Sequence, residues 1–119
     1  MSIQRGQVVM VWYPYSHGVG GKVRPALVIQ CDKNNRRLNS TIVAQISSTT
    51  RRSAVESTQL LIDPASPEGH LSGLLHPSAV KCENLVTVLQ ERIVRTIGRV
   101  DQDVMNRVNR CIKASLDVE

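Results

Sequence analysis

Phenylalanine is absent from this 119-residue chain, and Trp12, Tyr13 and Tyr15 are its only aromatic side chains. The core is therefore expected to be aliphatic, and any stacking on nucleobases rests on few rings. Cysteine is also sparse: Cys31, Cys82 and Cys111 are odd in number and widely spaced. They imply neither a disulfide framework nor a zinc site, and they suit a reducing compartment. No leading segment reads as a signal peptide, and the apolar runs fall far short of a membrane span. The three histidines lie in loop-like segments, and no spacing of His, Cys, Asp or Glu proposes a metal. Neither metal nor cofactor is expected.

What is present is one domain's worth of chain, read here as a single domain over residues 1–119. Hydrophobic residues at 41% and charged residues at 21% are ordinary for a soluble unit. The formal charge of +5 is unevenly placed. Residues 1–60 carry eight Lys and Arg against two acids, a balance of +6, while residues 61–119 carry seven against eight, a balance of −1. The asymmetry suits a polyanionic partner. A solvated basic face explains the charge equally well.

Along the chain, Gln7 to Tyr13 is rich in β-branched and aromatic residues and apolar on both faces, which predicts a central strand. A loop with Gly18, Gly20 and Gly21 follows, then Arg24 and a second strand from Pro25 to Gln30. Asp32 to Ser40 has turn composition, with Arg36 and Arg37 at its tip. Thr41 to Ile46 is a third strand, antiparallel to the second. Gln59 to Ile62 and Ser78 to Val88 are two more, separated by an irregular connection from Pro64 to Pro77. From Asp101 the period becomes helical, through Val104, Met105, Val108, Cys111, Ile112 and Leu116. A helix from Gln102 to Leu116 is expected, capped by Asp101 and stapled by Val100 against Met105.

Three places carry chemistry. Arg24 stands between a flexible loop and a rigid strand entrance, either as a solvated strand end or as a fixed guanidinium. Ser47 to Ser53, SSTTRRS, sets hydroxyls and arginines at a strand exit, a composition that can hold a phosphate. Lys81 and Glu83, two apart on a strand, share one face. They form a surface ion pair or part of a site.

Taken in order, Arg5-Gly6 before a Trp-bearing strand, the glycine loop, RPALVIQ with Asp32, the hydroxyls after TIVAQI, and VKCEN followed by a helix resemble the MazF/PemK (Kid) family of toxin endoribonucleases. The resemblance implies a mainly β fold, an SH3-like small β-barrel with a C-terminal α-helix. It also implies a cytoplasmic homodimer neutralised by a MazE-like antitoxin. The implied activity is that of an mRNA interferase: metal-independent cleavage of single-stranded RNA by 2′-OH attack, leaving a 2′,3′-cyclic phosphate.

On the same ground Arg24, Ser47 and Glu83 are the expected catalytic residues. His17, Lys22, Ser48, Arg51, Lys81 and Asn84 are expected to bind RNA. For Glu83 to act as general base, burial must raise its pKa. Family members commonly carry a Glu and a Gln where this chain has Val19 and Gly20, so the loop departs from the pattern. That departure keeps a second reading open, a non-catalytic toxin or interaction module on the same barrel, such as CcdB-like inhibition of gyrase.

Overall fold

The structure is a computed structural model and describes residues 3–119. Six strands form one antiparallel sheet: β1 Gln7–Pro14, β2 Gly21–Val28, β3 Ser40–Ser47, β4 Gln59–Ile62, β5 Ser78–Leu89 and β6 Ile93–Arg99. Helix α1 spans Asp32–Arg37 and α2 spans Gln102–Leu116. The spatial order is β4-β5-β3-β2-β1-β6. The expected barrel is thus a sheet whose edge strands, β4 and β6, do not pair with each other.

Alternation along β1 explains the two cores. Val8 points to a cluster with Leu27, Ala44, Val80 and Cys82, on which α2 lays Val104, Met105, Val108 and Cys111. Val9 and Val11 point the other way, into a second cluster with Ala26, Val28 and Val43. Both clusters lack phenylalanine, and the close packing of short aliphatic side chains takes its place.

Helix α2 begins where its cap predicts, with the Asp101 carboxylate accepting from the Val104 N–H at 2.9 Å. Val100 and Met105 are both buried beside it. The N-terminal segment is fastened by Arg5, whose Nε donates to the Ile29 carbonyl at 2.8 Å and whose guanidinium also reaches Asn109 on α2.

Three elements differ from the sequence expectation, the first being β6, which no strand pattern announces. Asp32–Arg37 is a short helix rather than a turn, because Asn35 is buried and bonded on several sides. Its amide oxygen accepts from Gln30 at 2.9 Å and from Thr41 at 2.7 Å, and its nitrogen donates to the Gln30 carbonyl at 3.0 Å. Arg36 and Arg37 stay exposed on the outer side of that helix. Strand β2 starts at Gly21, four residues before Pro25. Gly21 is needed there for space, since a Cβ at this position would collide with the Trp12 indole. Trp12 is only partly buried, and the Arg92 guanidinium covers its ring at 4.7 Å.

Candidate functional site

Strands β2 and β3 are paired only over Ala26–Val28, opposite Gln45, Ala44 and Val43. Beyond Ala26 the ladder ends, and the split leaves exposed Arg24 on one lip and half-buried Ser47 on the other. Two hollows meet at Arg24. The first, about 490 Å³, is lined by Lys22, Ser47, Ser48, His76 and Arg95 as well as Arg24. The second, about 420 Å³, places Tyr13, Gln45, Glu83 and Asn84 around it.

Glu83 and Asn84 reach the second hollow because β5 is bulged. Leu85 lies opposite Ala44 but Lys81 lies opposite Gln45, so Cys82, Glu83 and Asn84 loop out of the β3 ladder. Bulges of this kind re-aim side chains beside sites. The Asn84 amide donates to Gln45 Oε1 at 2.7 Å. Glu83 is turned toward β4, where the Gln59 amide donates to one carboxylate oxygen at 2.7 Å and the Thr58 hydroxyl to the other at 3.1 Å.

These contacts decide the ionisation of Glu83. Burial pushes its pKa up, but the bonds from Gln59 and Thr58, its own backbone N–H and the Lys81 charge together outweigh burial and hold it below the ordinary 4.5. A general base needs a shift upward, so the expectation that burial raises this carboxyl is reversed. Glu83 is an ionised acceptor with both oxygens already engaged. Tyr13, across the same hollow, has its pKa raised by burial and drawn partly back by the Arg24 charge. Its hydroxyl is buried without a partner among the described residues.

Ser47 Oγ accepts from the Thr49 N–H at 3.1 Å, which leaves the hydroxyl proton free to donate. Arg24 has no carboxylate within ion-pairing reach among the described residues. The first hollow therefore offers a free guanidinium, hydroxyls and further cations with no acid lining it. Such a surface fits a phosphodiester.

The structure gathers Arg24, Ser47, Lys22 and Ser48 at the first hollow, and Arg24, Glu83 and Asn84 at the second. Lys81 stands beside Glu83 and lowers its pKa, without lining either hollow. His17 is not brought to the split: it lies in the β1–β2 loop, stacked on Tyr15 with ring centres 5.2 Å apart. Arg51, exposed in the turn after β3, lines neither hollow. Sequence reasoning missed His76 and Arg95. Arg95 is opposite Met10, which is itself opposite Pro25, so the sheet carries Arg95 to the site from the far end of the chain. That neighbourhood follows from strand pairing alone. His76, within an irregular connection, has no periodic signal.

Residues 4–116 match the family described as PemK-like, MazF-like toxin of type II toxin-antitoxin system. The chain is 29% identical over 117 residues to endoribonuclease EndoA of Bacillus subtilis (strain 168), covering 98% of this chain and 96% of that protein. Among solved structures, an endoribonuclease in complex with its cognate antitoxin from Mycobacterial species superposes with a TM-score of 0.78 at 19% identity, over 99% of this chain and 98% of that one. The Mycobacterium tuberculosis toxin MazF-mt6 gives 0.75 at 22% identity over 95% and 98%. A chain of the MazE-MazF (Form-III) structure from Deinococcus radiodurans gives 0.75 at 17% identity over the whole of both chains. These likenesses establish the fold, and the family match, which takes in nearly every residue, establishes the kinship: the chain belongs to the PemK-like, MazF-like toxins of type II toxin-antitoxin systems.

Proposed function

We propose that this chain is a toxin endoribonuclease that cuts single-stranded mRNA without a metal, acting as one domain over residues 1–119. It works in the cytoplasm as a homodimer and is neutralised by a MazE-like antitoxin. The observation that carries the reading is Arg24, a guanidinium with no ion-pair partner among the described residues, at the lip of a split and across a hollow of cations and hydroxyls from Ser47. The EndoA relative, named an endoribonuclease, supports the reaction class.

RNA supplies its own nucleophile. As the 2′-OH attacks the adjacent phosphorus, charge builds on the non-bridging oxygens, and a guanidinium fork placed there stabilises it. Ser47 donates its free hydroxyl proton to the same group. Arg24 and Ser47 are thus assigned to the reacting phosphate, and Lys22 and Ser48 to its neighbours. Glu83 is assigned to binding rather than to proton transfer, since each oxygen of the ionised carboxylate, bonded once by Gln59 or Thr58, keeps a further lone pair for a nucleobase edge.

The test is incubation of the purified protein with a long unstructured RNA in EDTA. Fragments ending in 2′,3′-cyclic phosphate are expected, and Arg24→Ala should slow their formation on the order of a hundred- to a thousandfold. Intact RNA with the wild-type protein overturns the reading and leaves the protein-binding toxin in its place.

A further inference from the structure

Resting on the nuclease reading, we propose that His76 is a catalytic residue, the base that takes the proton from the attacking 2′-OH. The inference starts from what the two hollows leave available. Glu83 is turned to Gln59 and Thr58, which each donate to one of its oxygens, and it lies in the second hollow. Lys22, Arg24 and Arg95 are cations with no lone pair to offer at neutral pH. His76 lines the hollow that Arg24 and Ser47 share. Imidazole is the side chain that ordinarily changes charge between pH 5 and 8, where proton transfer is most efficient.

The backbone holds His76 there. The connection that carries it is pinned at Gly73, whose φ of +74° suits glycine and whose missing Cβ lets it press against the Ile97 carbonyl of β6. Past His76 the Ser78 hydroxyl donates to the His76 carbonyl at 2.9 Å. The ring itself takes part in no hydrogen bond or ion pair among the described residues, so both nitrogens are free. The charged groups that line the same hollow are Lys22 and Arg24 from β2 and Arg95 from β6, with the Ser47 hydroxyl from β3.

The step balances without a co-reactant. A lone pair on the imidazole takes the 2′-OH proton as the O2′–P bond forms. The P–O5′ bond breaks, the 5′-oxygen collects a proton from water, and the resulting hydroxide recovers the proton from the imidazolium. The products are a 2′,3′-cyclic phosphate and a 5′-OH, with no net water consumed.

The experiment measures single-turnover cleavage of one RNA by wild type and His76→Ala from pH 5 to 9, with RNA binding followed in parallel. For wild type, the logarithm of the rate should rise with unit slope and then level off as an imidazole deprotonates. His76→Ala should be about a hundred- to ten-thousandfold slower, lose that limb, bind RNA within about threefold of wild type, and regain rate when free imidazole is added. Cleavage by His76→Ala at the wild-type rate with the same limb overturns this assignment alone. No cleavage by wild type at any pH overturns both it and the nuclease reading.

Discussion

Glu83 shows how a residue's neighbours choose its role. An acid on a strand beside a lysine is compatible with either a base or a fixed anion, and the two amino acids that decide, Thr58 and Gln59, sit about 25 positions earlier in the chain. Both donate to the carboxylate, and the donor effect outweighs burial. The sign follows from linkage. Because the folded pKa is depressed, Glu83 contributes stability that is fully present above the unfolded value near 4.5 and is lost as pH falls through the lower folded value. Side-chain carboxyl NMR should find Glu83 below 4.5 in the wild type. Gln59→Ala removes the first-named donor and should move the titration upward. A wild-type value above 4.5 would restore Glu83 as a general base.

Elements were legible where local chemistry alone sets them. Helix α2 has a helical apolar period and an Asp N-cap, and both its ends fall where those signals put them. Asp101→Ala should therefore cost about 1 kcal/mol, read as a lower urea midpoint with an unchanged slope. Strands β1 and β3 were equally plain, because each buries both faces. Helix α1 was not plain, since six residues of DKNNRR have no apolar stripe and are held by the tertiary bonds of Asn35. Strand β6 carries no strand signal for a related reason: its residues are mostly half-buried or exposed, with no alternation to read. The site inherits this limit. Arg24 and Ser47 lie on strands whose pattern is readable, whereas Arg95 sits on the strand that is not, and His76 on no regular element at all. The β5 bulge that aims Glu83 and Asn84 is likewise invisible in sequence, because it is defined only by the register against β3.

At the scale of the molecule, the charge asymmetry along the chain and the charge at the site are different things. The first 60 residues hold the +6 balance, yet Arg36, Arg37 and Arg51 of that half are exposed and line neither hollow. Arg95 comes from the half whose balance is −1 and still joins Lys22 and Arg24, because β1 stands between β2 and β6 and aligns them. Which cations touch RNA is therefore set by the sheet order. Salt dependence can count them: for a single strand, each phosphate neutralised adds about 0.7 to the slope of log K against log salt. With a 2′-O-methyl RNA that cannot be cleaved, Arg95→Ala should reduce the slope by about 0.7. Arg110→Ala, on the exposed side of α2, should leave it unchanged. A slope that responds to Arg110 and ignores Arg95 would place the strand across the helix rather than the split, and the phosphate would then lie out of reach of both Arg24 and His76.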